Sequence, residues 1–157
     1  MHDIDWTVEA GLFAEFWPIE KLRARIEARH GFIGHHGNLV DLSMDWVERR
    51  GPWTVSVGPR LSLGDTRYMD KLFGVSAYDS LMSGGIPAYR AEGGAKSIGV
   101  AGAVSYEWSR QWTTTVYARY NRLVGSASAS PLVAGLGSRN QFTLGAIVAY
   151  SFDWAGF

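Results

Sequence analysis

The sequence predicts an all-β fold, a transmembrane antiparallel β-barrel with short periplasmic turns and long extracellular loops. Three observations support this prediction. Apolar and polar residues alternate with a period of two through most of the chain, which is typical of strands that have one apolar face. The connections between the strands alternate between short and long. Aromatic residues cluster at the strand ends beside the short connections, as they do at the interfaces of outer-membrane barrels.

The composition is that of one domain and excludes several classes of protein. The chain has 157 residues, and its 15 Lys and Arg balance its 15 Asp and Glu, so no global charge favours nucleic acid as a partner. It has no cysteine, which excludes disulfides and thiolate metal sites. The longest run of small apolar residues, IGVAGAV at 98–104, is far shorter than the roughly 20 residues that a membrane helix needs.

Seven segments show this alternation of apolar and polar residues and are predicted to be strands of about ten residues. They are residues 4–17, 21–30, 39–47, 53–63, 97–108, 112–122 and 140–152. The short connections are PIEK at 18–21, RRGP at 49–52 and SRQ at 109–111. The longer, glycine-rich connections are 31–38, 64–94 and 125–139.

The first four strands combine an apolar face with a charged face. In the second strand, for example, Leu22 and Ile26 share one face, and Arg23 and Arg25 share the other. We expect the charged faces to form a lumen charge network of Glu15, Arg23, Arg25, Arg29, Asp41, Asp45 and Arg60. The short turns predict these neighbours: Glu15 with Arg23, Arg29 with Asp41, Arg25 with Asp45, and Asp41 with Arg60.

Such pairing suits a barrel interior, because an unpaired charge in a confined space is costly. The solvated face of a soluble β-sandwich would also accept these pairs, and this fold is the alternative. The alternation of loop lengths and the row of aromatic residues favour the barrel.

The last three strands combine an apolar face with a small, neutral one. In the closing strand, Phe142 and Leu144 share one face, while Thr143 and Gly145 share the other. The apolar faces of the seven strands are predicted to face lipid, with mid-strand positions at Leu12, Leu42, Val57, Val100, Val116 and Val148.

An aromatic girdle is predicted at the short-turn end. Aromatic side chains with an apolar body and a polar tip suit the level of the lipid headgroups. The girdle residues are Phe16, Trp46, Trp53, Trp108, Trp112 and Phe152.

The closing strand also fits the C-terminal signal by which the barrel assembly machinery captures outer-membrane proteins. That machinery binds the last strand by its edge, so backbone pairing and a row of outward side chains are what it can read. The signal residues are Thr143, Gly145, Val148, Tyr150 and Phe152.

The long segment 64–94 is too rich in aromatic residues for a purely flexible loop. We expect it to fold over the barrel mouth as a loop cap, with Tyr68, Phe73 and Tyr89 packed inward. The cap serves either as a plug or ligand gate, or only to close the mouth.

No residue pattern predicts a catalytic, cofactor or metal site. The histidines His30, His35 and His36 lie near a glycine-flanked loop, which we interpret as an exposed loop tip rather than a metal site. Asp3, Asp5 and Glu9 share one face and are interpreted as lumen or terminal charges. An outer-membrane hydrolase needs Ser and His within hydrogen-bond reach, and no strand places both on one face with an orienting carboxylate.

Four segments resemble the MipA/OmpV family of outer-membrane proteins, the MltA-interacting proteins. They are GLFAEFWPIEKLRARIEARHGFIGHHG, GPRLSLGDTRYMDKLFGVS, GIPAYRAEGGAKSIGVAGAVSY and RYNRLVGSASASPLVAGLGSRNQF. The resemblance spans roughly residues 10 to 152 and implies a location in the bacterial outer membrane. It also implies a non-enzymatic scaffold that anchors a lytic transglycosylase and a bifunctional penicillin-binding protein, two enzymes of peptidoglycan metabolism in the cell envelope. A small channel or adhesin is the alternative function.

Seven strands is an odd number, whereas single-chain bacterial barrels have an even number. We therefore expect this chain to be the C-terminal portion of a longer barrel, with further strands and a signal peptide upstream. Residues 153–157, DWAGF, extend the last strand or hang free in the periplasm.

Overall fold

The computed structural model describes residues 8–33, 37–135 and 137–152, and seven strands and four short helices lie in this part of the chain. The strands are β1 (Val8–Ile19), β2 (Leu22–Ile33), β3 (Asn38–Arg50), β4 (Trp53–Gly64), β5 (Gly94–Glu107), β6 (Trp112–Leu123) and β7 (Asn140–Tyr150). The helices are α1 (Thr66–Phe73), α2 (Ala77–Met82), α3 (Gly125–Ala129) and α4 (Pro131–Gly135).

All seven strands pair in chain order into one antiparallel sheet, so the predicted all-β antiparallel architecture is confirmed. Each predicted strand is present with shifted ends. The connection predicted at 31–38 is shorter than expected, because β2 continues to Ile33 and β3 already begins at Asn38. Segment 64–94 contains α1 and α2, and segment 125–139 contains α3 and α4.

Short and long connections emerge at opposite ends of the sheet. Residues 20–21, 51–52 and 108–111 make the short turns at one end, and the longer connections are at the other. Gly51 has a φ of +57°, a conformation that favours glycine and lets β3 turn into β4 through only two residues. We call these two ends the short-turn end and the loop end.

The sheet is open in the part of the chain that the structure describes. Strands β1 and β7 are its two edges, and they do not pair with each other. Both run from the loop end toward the short-turn end, because six antiparallel steps separate them.

The apolar face of the sheet is exposed, and no second layer covers it within the described residues. Leu12 is 83% exposed and Leu144 is 68% exposed, at opposite edges of the sheet, and large apolar side chains on the strands between them are also exposed. In a soluble sandwich this face would be buried against a partner sheet. The described residues therefore provide no second layer of the kind that the soluble alternative requires.

The packed core lies at the loop end, beneath the helices. Its buried residues are Leu39, Tyr68, Met69, Ala91, Leu123 and Ala127, with Phe73, Tyr89 and Val133 partly buried against them. None of the four helices in the described residues is long and apolar enough to cross a membrane.

Candidate functional site

The polar face of the sheet is concave and encloses a charged cavity of about 350 Å³. Side chains from β1, β2, β3, β4 and β6 line it together, including Glu15 on β1 and Arg119 on β6. In a flat sheet these two strands would be about 24 Å apart, since neighbouring strands are spaced by about 4.8 Å. Two side chains so far apart do not line one cavity of this size, so the sheet is strongly curled around its charged face.

Asp41 connects three strands of the charged face. Its Oδ2 atom lies 2.5 Å from Nη2 of Arg29 on β2, and its Oδ1 atom accepts a hydrogen bond from Ser62 on β4. Arg29 also lies 3.5 Å from Glu27 and 3.7 Å from Glu9, measured between guanidinium nitrogens and carboxylate oxygens. The half-buried Arg29 guanidinium is thus surrounded by three carboxylates.

Asp45 is the most deeply buried charged group of this face, at 3% exposure. Arg23 donates a 2.8 Å hydrogen bond to its Oδ2 atom, and Nη2 of Arg60 lies 2.6 Å from its Oδ1 atom. The Arg60 contact is an ion pair without hydrogen-bond alignment, since Oδ1 has no aligned donor. Two guanidinium groups on either side neutralise a carboxylate that is nearly inaccessible to water.

Gly58 allows β4 to approach β3 closely beside Asp45. A Cβ atom at Gly58 would lie 1.7 Å from the backbone oxygen of Met44, so only glycine fits. The β3–β4 register is interrupted here, with no paired residues between Ser43↔Arg60 and Trp46↔Val57. This narrow gap brings Arg60 and Asp45 together.

The predicted neighbours agree with the structure for one pair, Arg29 with Asp41. The residues of the other three predicted pairs line the same cavity as diagonal neighbours, but the ion pairs found in the described residues join other partners. The partner of Arg25 is Glu27, at 2.9 Å, instead of Asp45. Arg60 contacts Asp45 rather than Asp41, and Glu15 is opposite Arg25 in the β1–β2 register rather than Arg23. Arg25 meets a carboxylate two residues along its own strand, whereas Arg60 reaches diagonally to β3, so register alone does not decide which carboxylate each arginine meets.

The polar faces of β5, β6 and β7 are small and mostly neutral, as the sequence predicted. Tyr117 on β6 lies over Gly145 on β7, where a Cβ atom would be 2.5 Å from the ring. Arg119 is a cation on this side of the cavity, and its Nε donates a 3.2 Å hydrogen bond to the side chain of Asn121. Lys96 of β5 is a second cation, close to the cap, where its Nζ donates a 3.2 Å hydrogen bond to the Tyr68 hydroxyl. The concave face therefore has one wall rich in ion pairs, on β1 to β4, and one wall with few charges, on β5 to β7.

The helices at the loop end pack over the concave face as a cap. Tyr68 is buried, and Phe73 and Tyr89 pack against the same core. The Tyr89 hydroxyl donates a 2.8 Å hydrogen bond to the backbone oxygen of Ser126, which joins segment 65–93 to α3. The buried Ser130 likewise donates to the backbone oxygen of Phe73, at 2.7 Å. The two long connections thus hold each other in place.

Asp65 anchors the start of this cap to the sheet. Its carboxylate accepts a hydrogen bond from the backbone N–H of Tyr68, as an N-cap of α1, and two more from the backbone and side-chain amide of Asn38 on β3. Partial burial raises the pKa of Asp65, but the hydrogen bonds to its charged form outweigh this effect and hold the pKa below its ordinary value.

A second cavity, of about 470 Å³, lies at the short-turn end, and we call it the short-turn pocket. It is lined by Trp17, Glu20, Lys21, Val47, Glu48 and Arg49. The Arg49 guanidinium carbon lies 5.0 Å from the centre of the Trp17 ring, and Lys21 forms a 2.8 Å ion pair with Glu48. Sequence reasoning did not identify this pocket. Its signal was that Trp17 and Val47 are apolar residues on the polar face of their strands.

The girdle residues predicted from the sequence all lie toward the short-turn end and are exposed: Phe16, Trp46, Trp53, Trp108, Trp112 and Phe152. Trp53, Tyr106 and Trp108 form a continuous row of edge-to-face contacts, with ring centres 4.6 Å apart in each step. Of the predicted signal residues, all except Phe152 are in β7, which ends at Tyr150.

The described residues hold no group of three or more His, Asp or Glu side chains placed to bind a metal. His30 is the only histidine among them, and its Nδ1 atom lies 2.8 Å from Oδ1 of Asn38. The predictions about Asp3, Asp5, His35 and His36 concern positions outside the described residues.

A sequence model of one protein family, described as MltA-interacting protein MipA, matches residues 1–152 of the chain. The match covers nearly the whole sequence and confirms the family resemblance inferred from the four segments. Comparisons with curated proteins and with solved structures gave no match.

Proposed function

This chain belongs to the MipA family, and we propose from this membership that it is a non-enzymatic barrel protein of the bacterial outer membrane that serves as a scaffold for murein enzymes. The observation that best supports the membrane location is the uncovered apolar face of the sheet, because an apolar surface of this extent is unfavourable in water. The description of the family as MltA-interacting supports the scaffold role.

In this proposal the exposed face contacts lipid and the concave charged face lines the lumen. An apolar outside and a polar inside are the two faces of an outer-membrane barrel wall. The lipid contacts include Leu12, Leu42, Val57, Val100, Val116 and Val148. The aromatic girdle lies at the headgroup level of the inner leaflet, and the short turns beyond it face the periplasm.

The open edges of the sheet support a longer barrel. Unpaired N–H and C=O groups along β1 and β7 would each cost several kcal/mol in hydrocarbon. Because β1 and β7 run in the same direction, an odd number of additional strands is needed to close the barrel with antiparallel neighbours throughout. We propose that the full-length protein supplies these strands, and that the assembly machinery recognises the edge of β7 through the signal residues.

A small channel or adhesin is the second candidate, and two observations disfavour an open channel. The loop end is covered by a cap whose core residue Met69 is fully buried. The charged wall beneath the cap is cross-linked by ion pairs of Asp41 and Asp45. A capped barrel whose charged wall is cross-linked suits an anchor better than a pore.

The proposed partners are MltA, which is a lytic transglycosylase, and a bifunctional penicillin-binding protein. A scaffold of this kind would hold murein-degrading and murein-synthesising enzymes together at the outer membrane. The absence of a Ser–His–carboxylate pattern in the sequence supports a role without catalysis.

The membrane location can be tested with spin labels, because the chain has no cysteine that would interfere with labelling. Single cysteines at Val100 and Val116 are predicted to place a label in lipid, accessible to oxygen and protected from a water-soluble relaxation agent. Ala101 and Thr115 are matched controls, since each is the neighbour on the opposite face. Labels at Val100 and Val116 that report water in reconstituted vesicles would contradict the proposal.

The scaffold role can be tested by direct binding. Purified full-length protein in detergent is expected to bind purified MltA in a saturable manner, and a bifunctional penicillin-binding protein is expected to join the same complex. If MltA does not bind while the protein is folded, the scaffold role is wrong, whatever the membrane location.

A further inference from the structure

We propose that the short-turn pocket is the docking site for MltA, and that an acidic side chain of MltA binds Arg49 there. This inference rests on the proposed function, which supplies both the partner and the periplasmic orientation of the short turns. It adds the location of the contact and the chemistry by which the partner is held.

The pocket faces the aqueous side of the barrel wall rather than lipid. Val47 and Arg49 follow Asp45 at intervals of two residues in β3, and alternate side chains of a strand share a face, so both belong to the polar face. A register shift between Phe16 and Ile19 interrupts the alternation of β1 at Trp17, but the Trp17 ring lies against Arg49 and lines the same pocket, at the periplasmic mouth in the proposed orientation. A periplasmic protein can therefore reach Trp17 without entering the membrane.

The shape and composition of the pocket suit the core of a protein interface. Val47, at 3% exposure, forms its floor, while Trp17 and Arg49 form one wall and remain accessible. Concave sites that combine a tryptophan and an arginine are typical of the few residues that contribute most of the binding energy in protein interfaces. The contact between Arg49 and the Trp17 ring holds both side chains in position before a partner arrives.

The charges of the pocket indicate which side chains the partner brings. Lys21 and Glu48 neutralise each other, and Arg50 lies 3.7 Å from Glu48. In the described part of the chain, Arg49 has no carboxylate partner and Glu20 has no cationic partner. An occupant that satisfies both carries an acidic group for Arg49 and a cationic or amide group for Glu20. A protein segment offers this mixture, whereas a polyanionic ligand would be repelled by Glu20.

The test measures the affinity of purified MltA for the full-length protein in detergent, with Trp17→Ala and Arg49→Glu as the two variants. Each variant is expected to weaken binding by at least about tenfold, the usual effect of removing a dominant interface residue. Far-UV circular dichroism checks that each variant keeps its β-structure. Neither side chain belongs to the cap core or to the Asp41 and Asp45 ion pairs, so folding should be retained.

Two matched controls separate the pocket from its surroundings. Phe13→Ala removes an aromatic ring from the polar face of the same strand, where it also lies beneath an arginine, with 3.9 Å between the Arg25 guanidinium carbon and the ring centre. Arg50→Glu reverses the charge next to Arg49 in sequence. Neither residue lines the pocket, and both variants are expected to bind MltA within about twofold of the unmodified protein.

The outcomes are distinguishable. If the unmodified protein binds MltA and all four variants bind equally well, the docking site is elsewhere, and the scaffold role stands. If the unmodified protein does not bind MltA, both proposals fail.

A sedimentation assay with isolated murein tests the competing occupant. If the protein sediments with murein in the absence of MltA, and Trp17→Ala abolishes this, the pocket binds glycan and the proposed docking of MltA is overturned.

Discussion

Arg29 on β2 and Asp41 on β3 are joined by a contact of 2.5 Å between Nη2 and Oδ2, although the register places Arg29 opposite Leu39. The guanidinium reaches diagonally across the strand pair to a carboxylate that also accepts a hydrogen bond from Ser62 on β4. One carboxylate therefore connects three consecutive strands on the concave face. Each of these polar groups depends on the others for its partners, because the cavity around them is confined.

A double-mutant cycle on this pair should reveal coupling. We expect Arg29→Gln and Asp41→Asn each to lower the free energy of unfolding, and the cycle to give a coupling of about 0.5–3 kcal/mol, because either change removes the nearest opposite charge of a half-buried ion. Urea-induced unfolding of the protein and its variants, in detergent or lipid, measures the free energies of unfolding from which the coupling is calculated.

The matched control is the pair Lys21 and Glu48, which also forms an ion pair, at 2.8 Å, but in an exposed position. Solvent screens exposed pairs, so its coupling should be below about 1 kcal/mol. Equal coupling in the two pairs would show that the concave face gives Asp41 no special environment and would argue against the confined network.

The glycine at position 58 should be irreplaceable. Gly58→Ala places a methyl group where the Met44 backbone oxygen now lies, which forces β3 and β4 apart beside Asp45. We expect a loss of about 1–3 kcal/mol in the free energy of unfolding, the usual cost of overpacking. Gly102→Ala is the control, since the atom nearest to its added Cβ is 3.5 Å away. If both variants unfold at the same urea concentration, the close approach of β3 and β4 is not required for stability.

The seven strands could be predicted because a period of two runs through most of each strand and each has one mainly apolar face. The partners of the charged residues could not be predicted as well. Arg25 and Asp45 were expected to meet, whereas the β2–β3 register places Arg23 opposite Asp45. A register error of two residues leaves the parity unchanged, so the assignment of faces remains correct while the pairing is wrong.

The helices of the cap were missed, although local signals for them exist. Asp65 and Ser76 are good N-cap residues, and Ser76 followed by Asp79 is close to a capping box. Aromatic content alone led to the expectation of a packed loop.

The short-turn pocket was missed for another reason. Trp17 and Val47 interrupt the polar face of their strands, and such exceptions are easily overlooked when a pattern is regular elsewhere.

The packing of the cap can be tested at Met69, which is 0% exposed. We expect Met69→Ala to lower the free energy of opening the cap by about 2–5 kcal/mol, because it leaves a cavity in the cap core. Faster tryptic cleavage at the exposed Lys71 in the folded protein would report this. Met82→Ala is the control within the same segment, since Met82 is 73% exposed. Unchanged cleavage of Met69→Ala would mean that the core does not hold the cap closed.

The attachment of the cap should depend on pH through Asp65. The pKa of this carboxyl is lower in the folded protein than its ordinary value, because three hydrogen bonds favour the charged form. Its contribution to stability is therefore fully present above the unfolded pKa of about 3.9 and is lost as the pH falls through the lower folded value. Asp65→Ala removes the N-cap and should weaken the attachment of α1 by about 1 kcal/mol at neutral pH.

Amide hydrogen exchange over residues 66–73 measures this attachment. The difference in protection between the unmodified protein and Asp65→Ala should be constant near neutral pH. It should begin to shrink below the unfolded pKa of about 3.9 and vanish as the pH falls through the lower folded pKa of Asp65. Asp65→Asn is the matched control, because an amide oxygen also caps a helix but does not titrate. Its protection relative to Asp65→Ala should not change with pH. A difference that persists undiminished at pH 2 would show that the charge of Asp65 contributes nothing and that the neutral side chain suffices to anchor the cap.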